Sequence, residues 1–200
     1  NVSSAVTQTL VVDTTAPTVS SFTTATASGT YNENEAIVIT ANTSENIQNG
    51  NTITVTLDTT DTVLLTAASA GTTLVGTYTV GAGDTSSGLT VSSFSIGTVA
   101  DTAGNAMAST TLPAASSIFG SKTIVIDTTA PTVSSFTTAT ASGSYKAGEA
   151  IVITANTSEA IQDTNTITVT LDTSDTVVLQ AEAAGTTLVG TYTVGTGDTS

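Results

Sequence analysis

The chain has 200 residues, 16 of them acidic against two lysines, for a net charge of −14, and contains neither cysteine nor histidine. Disulfide frameworks, Cys- or His-ligated transition metals and histidine-based acid–base chemistry are therefore excluded, and the negative charge opposes nucleic acid and anionic membrane surfaces. No apolar run is long enough to span a bilayer, and with only 9% charged residues the surface has to be built from Thr, Ser, Asn and Gly, a composition that points to an extracellular setting.

Taken in chain order, the sequence reads as short alternating β-strands separated by turn residues, with no sustained 3.6-residue apolar period. Residues 1–13 read as the last strand of a preceding unit, over 5–12, plus a linker. Asp13-Thr-Thr-Ala-Pro-Thr-Val19 is a short, semi-rigid lead-in, because Pro17 fixes φ and pushes Ala16 towards an extended conformation. A first strand is expected over 18–26, a turn at Ser28-Gly29-Thr30, and a second strand over 35–41 with Ile37, Ile39 and Ala41 on one face. A polar loop over 42–50 follows.

The third strand is the clearest, since Ile53, Val55 and Leu57 alternate with Thr52, Thr54 and Thr56 as in a half-buried antiparallel strand. A fourth strand passes through Val63 and Leu65, and a fifth places Leu74, Gly76, Tyr78 and Val80 on one face. After a loop over 81–88, a sixth strand runs from Leu89 and Val91 through Phe94 and Ile96. Its alternation slips at Ser92-Ser93, which predicts a bulge. The seventh starts after Asn105, breaks at Pro113 and resumes over 123–126. Seven short strands in about 110 residues predict an all-β chain of tandem immunoglobulin-like, Greek-key β-sandwich domains, with a jelly roll as the structural alternative.

Residues 11–86 then recur as 125–200, with 14 of the 76 aligned positions different. The period of 114 residues is that of a whole domain, so a complete unit is expected over 14–127 and an incomplete one, lacking its last strands, over 128–200. The incomplete unit is expected to be ordered only where another chain or a continuation covers it, and the strand over 5–12 is one candidate cover.

In a seven-strand sandwich the lead-in to the first strand, the second-to-third loop and the sixth-to-seventh loop share one pole. That arrangement gathers Asp13, Glu45, Asp101 and Asn105 with no nearby Lys or Arg. An all-oxygen set of mutually repelling carboxylates suits a hard cation, and flexible loop ligands suit calcium better than magnesium. Solvated turn residues are the other reading, because Asp, Asn and Gly favour turns without any metal. The opposite pole carries Glu33, Glu35, Asp58, Asp61 and Asp84. A second ion there is a secondary reading, with Glu35, Asp84 and Glu149, the counterpart of Glu35, as its ligands; a solvated surface is the leading one. Alternating threonines do not make an ice-binding lattice from one strand, and four tyrosines without tryptophan make a poor sugar platform.

Asp127-Thr-Thr-Ala-Pro-Thr-Val, Gly143-Ser-Tyr-Lys-Ala-Gly-Glu-Ala-Ile-Val-Ile, Thr157-Ser-Glu and Asp101-Thr-Ala-Gly-Asn resemble the bacterial Ig-like repeats of giant surface proteins, and most of all the extender regions of RTX adhesins. The resemblance implies calcium at or near domain junctions, carried by Asp13, Glu45, Asp101 and Asn105 and, at the second junction, by Asp127 and Glu159. The second set is incomplete, because residues 125–200 contain no counterpart of Asp101 or Asn105. The resemblance also implies a non-enzymatic spacer on the bacterial cell surface, with neighbouring repeats of the same polypeptide and distal adhesive domains as partners. A binding module that recognises glycan or protein through its loops, and a surface-layer or sheath subunit, are the alternatives.

Overall fold

A computed structural model describes residues 11–115 and 118–199. The chain is all-β, and its strands divide between two compact units, one ending at Thr128 and the other beginning at Thr129. The strand expected over 5–12 falls outside the described residues except for Val11 and Val12, which are exposed and belong to no strand.

The first unit carries β1 (Val19–Thr23), β2 (Gly29–Tyr31), β3 (Ala36–Ile47), β4 (Thr52–Leu57), β5 (Thr62–Thr66), β6 (Gly71–Thr79), β7 (Thr85–Ser86), β8 (Val91–Thr98) and β9 (Ile124–Asp127). Six of them form one antiparallel sheet in the order β1-β3-β6-β5-β4-β8, and β2, β9 and β7 form a three-stranded sheet. Inward residues of both sheets meet in a single core that includes Phe22, Ile37, Ile53, Leu74, Phe94, Ile124 and Ile126. The Phe22 and Phe94 rings meet edge to face with centroids 5.8 Å apart, the geometry that aligns a positive ring edge with a negative ring face.

The large sheet curls between β5 and β6, whose ladder is reduced to the pair Thr66↔Val75. Gly76 permits this close approach, since a Cβ there would lie 2.4 Å from the Leu64 carbonyl oxygen. The expected bulge in β8 is present: Ser93 pairs with Thr56 and Val91 with Leu57, so Ser92 is the extra residue.

Three expectations need correction. The seventh strand, expected to start after Asn105, forms only over Ile124–Asp127, and residues 107–115 belong to no strand. The turn expected at Ser28-Gly29-Thr30 is in part strand, because Gly29–Tyr31 runs parallel to Ile124–Ile126. The polar loop expected over 42–50 is mostly strand as well: β3 continues to Ile47 with an irregularity between Asn42 and Ile47. Its polar residues hid that continuation, yet Thr43 and Ile47 stay buried on the same alternate positions as Ile37, Ile39 and Ala41.

The second unit repeats part of this plan. Its strands β10 (Val133–Thr137), β11 (Ala150–Ile161), β12 (Thr166–Thr170), β13 (Thr176–Gln180) and β14 (Gly185–Thr193) form one sheet in the order β10-β11-β14-β13-β12. The β11–β14 register copies β3–β6 pair for pair. Gly143–Tyr145, counterpart of β2, is not a strand.

The same phenylalanine therefore stands in two environments, since Phe22 is 0% exposed and Phe136 is 54% exposed. Phe22→Ala is expected to cost about 3–5 kcal/mol, and Phe136→Ala under about 1 kcal/mol. Hydrogen exchange across β3 and β11 under denaturant measures both, and equal losses would contradict the assignment of the core.

Candidate metal centre

One carboxylate is placed by strand parity. Glu45 lies half-buried on the inward alternate positions of β3, and its Oε2 is buried with no hydrogen-bond partner among the described residues. The Thr43 hydroxyl donates to the Glu45 carbonyl at 2.7 Å and holds the local backbone. A buried acceptor left without a donor is costly, and a carboxylate oxygen more so.

The second carboxylate arrives through the loop after β8. Asp101 bridges Ile47, Gln48 N donates to the Ala100 carbonyl at 3.0 Å and Thr102 N to the Asn46 carbonyl at 3.2 Å, and Gln48 Nε2 donates to the Asp101 carbonyl at 2.8 Å. The loop then folds back on itself: Gly104 N donates to the Asp101 carbonyl at 3.2 Å and Asp101 N to the Asn105 carbonyl at 3.0 Å. Gly104 takes φ of +98°, a conformation that glycine reaches without a Cβ clash. Asp101 is 1% exposed.

Asn105 organises the cluster. Its backbone N–H donates to Asp101 Oδ1 at 2.7 Å, and its side-chain Nδ2 donates to Asp101 Oδ2 at 2.8 Å and to the Asp13 carbonyl at 3.2 Å. Asp13 is exposed in the lead-in, with Oδ1 accepting from Thr15 N at 3.0 Å. One oxygen from each of Asp13, Glu45 and Asp101 lies within 4.8 Å of the others. Ligands about 2.3–2.6 Å from a shared calcium ion span such a distance.

The electrostatics of the three differ. Burial, then the charges of Asp13 and Asp101, push the Glu45 carboxyl above its ordinary value. Burial pushes Asp101 the same way, but hydrogen bonds from Asn105 and from the Gly104 and Ala103 amides outweigh it and hold its carboxyl below the ordinary value. Asp101 is thus a satisfied anion and Glu45 a frustrated one. The donors present are all oxygen, which fits a hard cation and gives transition metals no nitrogen or sulfur.

The other sequence-derived candidates fall elsewhere. Asp127 ends β9 opposite Thr85 in the first unit, and Glu159 lies on β11 in the second, its carbonyl accepting from Thr157 Oγ1 at 2.6 Å as Glu45 accepts from Thr43. Glu35 Oε2 caps its turn by accepting from Asn32 N at 2.7 Å, and Glu149 Oε2 does the same with Lys146 N at 2.7 Å. Because the donor is backbone, that cap survives the change from Asn32 to Lys146. Asp84 accepts from the Tyr78 hydroxyl at 2.5 Å and from Gly81 N at 2.6 Å. Burial raises the Asp84 carboxyl, but these bonds bring it below its ordinary value. Among the described residues, Asp13, Glu45 and Asp101 are the one group of three acids gathered closely enough to share an ion. Gln48, which ties the Asp101 loop to the end of β3, carried no signal in the sequence.

Comparison with models of known protein families and with curated protein sequences returns no match.

The shifts fix the sign of the pH response. A raised carboxyl such as Glu45 favours the fold below its unfolded-state value, and that contribution is lost as pH rises through the folded value. The lowered Asp101 and Asp84 favour the fold above the ordinary carboxylate range and lose their contribution as pH falls through their depressed values. In chelator at pH 7, Glu45→Gln is therefore expected to raise the melting temperature and Asp101→Asn to lower it. A destabilised Glu45→Gln protein under those conditions would refute the account of the site.

Proposed function

We propose that this chain is a stretch of structural extender repeats from a large bacterial cell-surface adhesin, built from Ig-like, Greek-key β-sandwiches and stiffened by calcium. The observation that carries this reading is the buried, unpartnered Glu45 Oε2 beside the carboxylates of Asp13 and Asp101. A cation there would offset the burial and the carboxylate repulsion that together raise the Glu45 carboxyl, and would be held by Asp13, Glu45 and Asp101 with Asn105 orienting Asp101. Near-identical copies in tandem also favour a role in length and spacing over a role in chemistry. No reaction is assigned to the chain.

The stiffening is mechanical and electrostatic. Asp13 belongs to the Asp-Thr-Thr-Ala-Pro lead-in, whereas Glu45 and Asp101 belong to the folded body. A cation shared by all three ties the lead-in to β3 and to the loop after β8, and Pro17 removes further backbone freedom. Repeated along an array, this converts flexible joints into restrained ones and carries a distal adhesive region away from the cell surface.

Calcium at about 100 times its dissociation constant would stabilise the first unit by about 2.7 kcal/mol. A higher melting temperature and a larger maximum dimension in X-ray scattering are expected with calcium than with chelator, and both effects should vanish in Asp101→Asn and Glu45→Gln. The reading fails if neither quantity responds in the unaltered chain. Specific capture on a glycan array would instead favour a binding module.

A further inference from the structure

We propose that Gln48 and Asn51 are positioning residues for the metal centre. From the turn between β3 and β4 they grip the main chain at Ala100 and Asp101, so that Asp101 stands beside Glu45 before an ion arrives. This role rests on the cation site proposed above.

The turn is braced on its own side. Asn51 N donates to the Gln48 carbonyl at 3.4 Å, Gly50 N to the Ala67 carbonyl at 2.8 Å and Ala67 N to the Asn51 carbonyl at 2.9 Å, which ties residues 48–51 to the residue after β5. The loop after β8 is then held at three consecutive residues. Gln48 N donates to the Ala100 carbonyl at 3.0 Å and Thr102 N to the Asn46 carbonyl at 3.2 Å. The side chains add two bonds: Gln48 Nε2 donates to the Asp101 carbonyl at 2.8 Å, and Asn51 Oδ1 accepts from Ala100 N at 2.9 Å. Asn51 is 8% exposed, so its bond is made away from water, where a missing partner costs most.

Primary amides suit this task. Each offers a donor and an acceptor without a charge, so the pair fixes a loop beside Asp13, Glu45 and Asp101 and leaves the field of the cluster to the ion. A glutamate at 48 would have no proton for the Asp101 carbonyl and would add a fourth negative charge. A lysine would put a cation beside the site and compete with the ion. The support has two levels: Gln48 and Asn51 hold the main chain, and Asn105 then holds the Asp101 carboxylate through its N–H at 2.7 Å and its Nδ2 at 2.8 Å. Without the first level, repulsion from Glu45 and Asp13 would open the ion-free loop, and binding would have to close it again.

The two copies separate the working side chains from their neighbours. Between 46 and 51, Asn46, Asn49 and Gly50 become Ala160, Asp163 and Thr164, whereas Ile47, Gln48 and Asn51 return as Ile161, Gln162 and Asn165. Asn46 meets the loop through its carbonyl, which alanine keeps, and Thr164 N repeats the Gly50 bond at 3.0 Å. Burial accounts for keeping Ile47 and Asn51. Gln48 is as exposed as the three residues that change, so its hold on Asp101 is the property that sets it apart from them.

Calcium titration calorimetry, together with hydrogen exchange in chelator, tests the role in the full chain. Gln48→Met keeps the length of the side chain and removes the amide donor. It is expected to weaken calcium binding about 10–100-fold and, without calcium, to speed exchange of the Thr102 and Asn105 amides about tenfold. The β4 and β6 amides and the melting temperature in chelator should stay as in the unaltered chain, which separates positioning from a general loss of stability. Asn49→Ala, one residue further along the turn, should change none of these. The proposal is overturned if Gln48→Met binds calcium as tightly as the unaltered chain, or if its exchange at 102 and 105 in chelator is unchanged. An unaltered chain that binds no calcium would sink the extender reading and not the grip on the loop, which the chelator exchange alone then upholds or overturns.

Discussion

A sheet with one apolar face is stable only when that face is covered, and most of what is ordered in the first unit follows from meeting this constraint. β3, β4 and β6 turn Ile37, Ile39, Ile53, Val55 and Leu74 to one side. That surface is closed by β8 and by the β2–β9–β7 sheet, whose Ile124 and Ile126 enter the same core. Burial of aliphatic and aromatic side chains at roughly 1.5–3 kcal/mol each outweighs any polar contact in the unit, so closure decides whether it folds. In the second unit the counterparts of Phe22, Ile37, Ile39, Ile53 and Val55 are at most half-buried, and the counterpart of β2 is not a strand.

Closure of the core and assembly of the acidic cluster are one structural event. The chain leaves β8 at Thr98, buries Val99, and within two residues sets Asp101 against Ile47 at the end of β3. The strand that covers Phe22 therefore also delivers the Asp101 carboxylate, and the hydrogen bonds from Asn105 make its burial tolerable. Glu45 receives no such compensation. Its position is fixed by the inward parity of β3, so the strand cannot turn it to water without also exposing Thr43 and Ile47.

Much of this was legible in the sequence. The alternation of Ile53, Val55 and Leu57 gave β4, the slip at Ser92-Ser93 gave the bulge, and the spacing of turn residues gave most strand ends. The gathering of Asp13, Glu45 and Asp101 was also anticipated, but for a reason that is only partly right. Glu45 was expected in a loop and stands on a strand, because the Asn-Thr-Ser-Glu-Asn run has the composition of a turn while its alternate positions still face inward. β2 was hidden because its parallel partner lies some 95 residues away in sequence, as Gly29 opposite Ile124, and no local pattern encodes such a pairing. Residues 106–115 supply buried Met107 without forming a strand, so their contribution to the core was invisible to a search for periodicity.

The two copies also separate what the backbone dictates from what side chains must supply. Gly50 has φ of +78° and its replacement Thr164 keeps +66°, while Asn34 at +70° becomes Gly148 at +90°. Gly50 N and Thr164 N make the same bond, to the carbonyls of Ala67 and Ala181 at 2.8 and 3.0 Å. A β-branched residue in the left-handed region costs on the order of 1–2 kcal/mol, so the ladder imposes the turn and the residue adapts to it. The carboxylates behave differently. Of the acids at 13, 33, 35, 45, 58, 61 and 84, only Glu33 is replaced in the second copy. Asp13, Glu35, Asp58, Asp61 and Asp84 each accept a hydrogen bond in the first unit. Glu45 also keeps its counterpart, Glu159, although its own Oε2 has no donor among the described residues. Hydrogen bonding accounts for the other retained acids; for Glu45 the described residues supply only a penalty, which a shared cation would offset under the function proposed above.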